Sequence, residues 1–226
     1  MPPYRWQAIL FDLDGTITDS APGILNSARH AIAKMELDES RTGDLRRFIG
    51  PPLEYSFRTT FGLNESDAWR AVECYREYYA ERGIWENTLY PGIRELLENL
   101  SQQSGCWVAL ATAKPEPFVD RILDHFGLAG FFNTVVGSYL DGRRTDKGEI
   151  IAEALTRLPA GISRDRVCMV GDRRHDIAGA HTHGLTAIGV TYGYGSREEL
   201  QEAGADRVVE SVQELARLLG LPEKTE

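Results

Sequence analysis

The chain has 226 residues, 42% of them hydrophobic and 26% charged, which is ordinary globular usage and excludes a disordered, fibrous or mini-protein class. With 25 basic against 34 acidic residues the net charge is −9, and no stretch gathers the Lys and Arg that a nucleic-acid backbone would need. The opening run at 1–15 is broken by Asp12 and is too short and acidic for a signal peptide or membrane span, while the odd, scattered Cys74, Cys106 and Cys168 suit reduced, buried thiols; the expectation is a cytoplasmic chain with no membrane partner.

In chain order, AILF at 8–11 predicts a buried strand. Residues 18–86 carry no convincing strand pattern. They place apolar side chains at helical spacing instead, first Ile24, Ala28, Ala31, Ile32 and Met35, then Ala68, Val72, Tyr75 and Tyr79, with breaks at Gly43, Gly50-Pro51-Pro52 and Gly62. This predicts a helical bundle inserted after the first strand. Tyr90-Pro91-Gly92 marks the return, with Pro91 opening a helix through Ile93, Leu96, Leu97 and Leu100. Apolar runs at 107–111, 134–137, 167–171 and 187–190 read as further buried strands, and the helical stretches at 115–125, 147–158 and 173–183 between them complete βαβ units. The fold expected is α/β, a Rossmann-like doubly wound parallel sheet built from residues 1–17 and 87–226, with the helical bundle at 18–86 inserted into it.

Four segments are candidates to carry chemistry. Asp12-Leu13-Asp14-Gly15-Thr16 follows the first strand directly, which puts Asp12 at a strand's carboxyl end, where open α/β sheets place ligands. Gly15 permits a turn that aims Asp12 and Asp14 at one point, and like charges that close repel unless a proton or cation sits with them. A hard divalent ion such as Mg²⁺ neutralises such oxygen ligands; a solvated Asp-Gly turn is the other reading. In Gly171-Asp172-Arg173-Arg174-His175-Asp176 the two acids would face the same strand end, or else Asp172 caps a helix and Asp176 sits in its first turn. His175 lacks a partner at zinc-ligand spacing and reads as a surface residue. Thr112 ends a strand just before a helix, a place that binds phosphate or simply caps. Lys147 opens a helix although a cation there opposes the dipole. Only four lysines, Lys34, Lys114, Lys147 and Lys224, stand against 21 arginines, so Lys114 and Lys147 beside these motifs carry information. Taken together, the four segments would gather carboxylates, a hydroxyl and a lysine at one sheet edge, an inventory that suits phosphoryl transfer.

At this point the sequence resembles the haloacid dehalogenase superfamily of phosphohydrolases over nearly its whole length, and within it the phosphoglycolate phosphatase-like branch. DxDGT at 12–16, Thr112, Lys147 and GDxxxD at 171–176 are similar to that family's four motifs in order and spacing. The resemblance implies that Asp12 is the nucleophile, forming an aspartyl-phosphate, and also a Mg²⁺ ligand. It implies that Asp14 protonates the leaving alkoxide, activates the hydrolytic water and lends its backbone carbonyl to the metal. Thr112 and Ala113 would hold the phosphoryl group, Lys147 would pair with Asp12, and Asp172 and Asp176 would complete the metal site. The helical insertion would be the family's mobile cap.

Asp14 argues against the metal-free dehalogenases of the superfamily, and Leu53 after Gly50-Pro51-Pro52, with Lys34 ahead of that loop, argues against its phosphonate-cleaving members. Thr112-Ala113-Lys114-Pro115 is similar to the Thr-Asn-Lys-Pro of phosphoglycolate phosphatases, with Ala113 replacing Asn; Lys114 would there meet a second anion such as a carboxylate, and Arg143 is a further candidate substrate contact. The segments 48–52, 140–143 and 171–176 look more like a subgroup labelled phosphoglycolate phosphatase or 5'-nucleotidase. The expectation is a Mg²⁺-dependent phosphatase, monomer or homodimer, acting on a small phosphorylated metabolite. The alternatives are a 5'-nucleotidase-type activity, a β-phosphoglucomutase-like mutase and a catalytically idle binder of a phosphorylated ligand.

Overall fold

The apolar tetrad of β1 (Ala8–Phe11) is buried at every position, as a strand covered on both faces must be. In the computed structural model, which describes residues 6–221, this strand lies inside a six-stranded sheet. The ends of the expected core, residues 1–5 and 222–226 with Lys224, lie outside the described residues. The chain divides into two units, one comprising the residues up to Thr18 and from Leu89 onward, the other Asp19–Thr88. It passes between them through two-residue strands, β2 (Thr18–Asp19) and β3 (Thr88–Leu89), which pair with each other.

In the sheet unit, β1 is followed by β4 (Trp107–Pro115), β5 (Thr134–Ser138), β6 (Val167–Gly171), β7 (Thr186–Val190) and β8 (Arg207–Val209). The order is β5-β4-β1-β6-β7-β8, all parallel, so the direction of winding reverses at β1. Crossover helices connect the strands: α4 (Ile93–Ser101), α5 (Glu116–His125), α6 (Lys147–Thr156), α7 (Arg174–Thr182), α8 (Arg197–Glu202), with α9 (Val212–Leu218) closing the chain. Ala8 and Leu10 of β1, Ala109 and Ala111 of β4 and Met169 of β6 pack on one face against Ile150, Ile151 and Ala154 of α6 and Ile177 and Ala180 of α7. Alternation leaves Ile9, Phe11, Val108, Leu110 and Val170 for the opposite face, where α4 and α5 pack and α9 lies beside α4. This is the doubly wound α/β sheet expected from the alternating apolar runs and helical stretches.

The register sets up the site. Phe11 pairs with Leu110 on one side and Val170 on the other, so the residues that follow β1, β6 and the middle of β4 emerge at one end of the sheet, at the point of reversal. That is where open α/β sheets hold ligands.

Three details differ from the sequence reading. β4 does not end at 111: it stays extended to Pro115, shifts register between Ala111 and Pro115, and pairs there with Ser138. Pro115 disfavours helix at Lys114, so α5 cannot start directly after Thr112. The edge strand β8 was not expected, because it is three residues long with Arg207 exposed. The cysteines form no disulfide; Cys168 is buried in β6, but Cys74 and Cys106 are only half-buried. Burial still pushes the Cys106 thiol up to about 11.

The second unit is helical: α1 (Ala21–Lys34), α2 (Leu53–Phe61) and α3 (Glu65–Glu81), with short 3-10 turns between them. Its centre is aromatic. Phe57 is fully buried, meets Phe48 edge-on at 4.9 Å and stacks on Phe61 at 6.3 Å. Among the described residues no helix is long and apolar enough to cross a membrane. Phe57→Ala is expected to lower the stability of this unit by about 3–5 kcal/mol in denaturant unfolding followed by circular dichroism. A loss below about 1 kcal/mol would mean that the aromatic cluster does not organise the unit.

Candidate functional site

Asp12 follows β1 directly and is 9% exposed. Its Oδ1 accepts a hydrogen bond of 2.7 Å from Lys147 Nζ, which also donates to the Ala111 carbonyl at 3.0 Å. Lys147 sits at the start of α6, whose N-terminus is capped by Asp146, and its Nζ lies 2.8 Å from Asp176 Oδ1. The unfavourable dipole at that helix start is offset by two buried carboxylates. Burial alone would depress the lysine, yet Asp12 and Asp176 outweigh it and hold the ammonium above its ordinary range. Burial, opposed by Lys147 and reinforced by Asp176, pushes Asp12 up to about 6.

Asp172 follows β6 and is fully buried. It does not cap α7: that place falls to Arg173, because β6 ends at Gly171 and α7 starts only at Arg174. Its Oδ2 accepts from the Tyr194 backbone N–H at 2.7 Å, while Oδ1 is buried without a hydrogen-bond partner. Burial, then Asp176 and Asp12, raise it well above the carboxylate range. Asp176 keeps part of its capping role, accepting from the Arg173 N–H at 3.0 Å through Oδ2, while its other oxygen faces Lys147. One carboxylate oxygen from each of Asp12, Asp172 and Asp176 lies within 4.8 Å of the others.

Asp14 lies in the turn after β1, and its Oδ2 is 2.7 Å from Lys114 Nζ. Thr112 is buried within the irregular part of β4, its Oγ1 accepting from the Lys114 N–H at 3.3 Å. Ala113 is half-buried beside it, its carbonyl taken by Ser138 Oγ at 2.7 Å. Arg143 stands apart, in the exposed turn after β5, where its guanidinium pairs with Asp141 at 2.8 Å and lies over the Tyr139 ring. His175 is exposed.

The loop Tyr192-Gly193-Tyr194-Gly195 lies just beyond β7. It closes over Asp172: a Cβ on Gly193 would fall 2.1 Å from the Gly15 carbonyl oxygen and 2.5 Å from Asp172 Cβ. Gly15 has φ +84°, and a Cβ there would meet Asp172 Oδ2 at 2.2 Å. Only glycine fits at either place. Tyr192 ties the loop down by donating from its hydroxyl to the Thr16 carbonyl at 3.1 Å and by meeting Tyr90 edge-on at 4.9 Å. The Tyr-Gly-Tyr-Gly run one residue beyond an apolar strand was the available signal.

Four carboxylates, Asp12, Asp14, Asp172 and Asp176, thus face two ammonium groups, which leaves two negative charges in excess when all are ionised. Asp172 Oδ1 and Asp14 Oδ1 are buried without hydrogen-bond partners. Hard oxygen donors carrying that excess fit one divalent cation.

Residues 9–190 match the family model of haloacid dehalogenase-like hydrolases. The chain belongs to this family. A haloacid dehalogenase-like hydrolase of this type has relatives with several chemistries. The chain is 44% identical over 197 residues, 87% of it and 88% of the relative, to a 5'-nucleotidase of Pseudomonas aeruginosa. It is 39% identical to the tyrosine-protein kinase PtkA of Mycobacterium tuberculosis over 95% of this chain and 73% of that one. It is 31% identical to a phosphoglycolate phosphatase of Vibrio parahaemolyticus over 94% and 96%. Among solved structures, a predicted phosphatase from Clostridium acetobutylicum superposes with a TM-score of 0.88 at 42% identity, covering 95% of this chain and 98% of that one.

Because Asp172 is a buried carboxylate set among like charges, Asp172→Asn is expected to stabilise the chelator-treated protein by about 1 kcal/mol or more, roughly 2–4 °C in Tm at this size. A lower Tm for the variant under chelation would contradict the electrostatic account.

Proposed function

We propose that the chain is a Mg²⁺-dependent phosphatase that hydrolyses small phosphomonoesters through an aspartyl-phosphate on Asp12. The observation that carries this reading is the buried pairing of Asp12 with Lys147, next to a carboxylate trio with negative charge in excess. A divalent cation held by Asp12, Asp172 and Asp176 would supply neutralising charge to the phosphoryl oxygens.

The residues of the chain would do the rest. Lys147 holds the Asp12 carboxylate and meets the charge that grows on the phosphoryl group. Thr112 and the backbone beside Ala113 orient the phosphoryl oxygens. Asp12 attacks phosphorus, and the bond to the ester oxygen breaks with its electron pair going to that oxygen. The oxygen takes a proton from Asp14, which later accepts one from the water that cleaves the aspartyl-phosphate. The helical unit, as the cap, would select the substrate and exclude water.

For substrate, we propose phosphoglycolate or a similarly small phosphomonoester. The 44% identical 5'-nucleotidase favours a nucleoside monophosphate as the second reading. The test is phosphate release from phosphoglycolate, nucleoside monophosphates, sugar phosphates and phosphotyrosine, each with Mg²⁺ and with chelator. One preferred substrate, hydrolysed only with Mg²⁺, is expected, and Asp12→Asn should abolish its turnover while leaving the circular dichroism spectrum unchanged. Substantial turnover by Asp12→Asn would refute the covalent role. Interconversion of sugar phosphates without net phosphate release would identify a mutase instead.

A further inference from the structure

We propose that Lys114 is a positioning residue, whose ammonium holds the Asp14 carboxylate in place to serve the leaving oxygen. This rests on the reading of the chain as an aspartyl-phosphate phosphatase. The two lysines of the site divide its carboxylates: Lys147 takes Asp12 and Asp176, and Lys114 takes Asp14. The Lys114 side chain is 6% exposed and its Nζ is 2.7 Å from Asp14 Oδ2. Asp14 Oδ1 is buried and accepts no hydrogen bond, so one oxygen is fixed by the cation while the other keeps its lone pairs for a proton.

The sequence builds this geometry into the sheet. The irregular stretch of β4 between Ala111 and Pro115 turns the Lys114 N–H onto Thr112 Oγ1, and Pro115 keeps Lys114 extended. Proton transfer requires the carboxylate within about 2.6–3.2 Å of the oxygen it serves, and a free Asp side chain rotates away from such a geometry. A lysine that cannot itself swing to solvent supplies the missing restraint.

The chemistry predicts which steps feel its loss. Departure of an alkoxide needs the proton from Asp14, and attack of water on the aspartyl-phosphate returns one to it, so Asp14 ends as it began. Lys114 keeps its protons throughout. A 4-nitrophenolate leaves without a proton, so the first half-reaction with an aryl phosphate bypasses Asp14.

The test compares the full-length wild type, Lys114→Met, Asp14→Asn and the double variant by rapid mixing with Mg²⁺ and three substrates. These are phosphoglycolate, ethyl phosphate, which lacks the carboxylate, and 4-nitrophenyl phosphate. Lys114→Met is expected to lower kcat for both alkyl esters alike, by about 10²-fold, the low end for general acid–base catalysis, with KM little changed. The nitrophenolate burst should be retained, and the double variant should be no slower than Asp14→Asn, since the pair acts as one unit. The double variant leaves no unpaired partner of the ion pair, so it carries the comparison even where Lys114→Met alone fails to fold. A loss confined to the KM of phosphoglycolate would make Lys114 a substrate contact and overturn the proposal. A burst that falls in step with the alkyl rates, or a double variant slower than Asp14→Asn, would make it merely structural and overturn it too. A wild type that gives neither burst nor phosphate would overturn the phosphatase reading itself.

Discussion

The contact on which this site depends is one buried ammonium, Lys147, set between Asp12 and Asp176 at 2.7 and 2.8 Å. Removing such charges from water costs several kcal/mol per ion, and the cost is recovered only where geometry and partners are good. Here the partners come from three distant stretches of chain, and the sheet brings them together. The end of β1 delivers Asp12, the start of α6 delivers Lys147, the turn after β6 delivers Asp172 and the first turn of α7 delivers Asp176. Parallel pairing of β1 with β4 and β6 fixes these ends in one register, so the central strands act as the ruler for the chemistry.

That arrangement is not the most stable one available to the fold. Asp172 is buried with one oxygen lacking a hydrogen bond, and its neighbours are carboxylates. The backbone accommodates it by giving up side chains: Gly15 and Gly193 close round the carboxylate with no room for a methyl group. Strain of this kind concentrates where function requires charge, and the apolar layers beneath the site, with Ile150, Ile151, Ile177 and Met169 fully buried, supply the offsetting stability. The electrostatic excess that destabilises the bare site has the sign that a divalent cation would neutralise.

The sheet was legible in the sequence because buried parallel strands read as uninterrupted apolar runs, and four of the five expected strands lie within a residue or so of their predicted ends. β8 was not legible, since three residues with an exposed Arg207 carry no such run. The reach of β4 to Pro115 was hidden as well: local spacing suggested a hydroxyl at a helix start, whereas pairing with Ser138 keeps the segment extended. The carboxylates were legible through their positions after strands. Their partners were not, because the pairing of Lys114 with Asp14 and of Tyr194 with Asp172 depends on tertiary approach rather than on spacing. For Arg143, residue type alone pointed to an anion, and the fold places it on Asp141 and Tyr139 instead.

The proposed chemistry turns on covalent phosphorylation of the Asp12 carboxylate. The most direct measurement is to quench the protein in acid during turnover of its preferred substrate, reduce with borohydride and map the peptides by mass spectrometry. An acyl phosphate on Asp12 would be reduced to homoserine at that position, and homoserine is expected at residue 12 with substrate and absent without it. Homoserine at another aspartate, or steady release of phosphate with residue 12 unmodified, would contradict it.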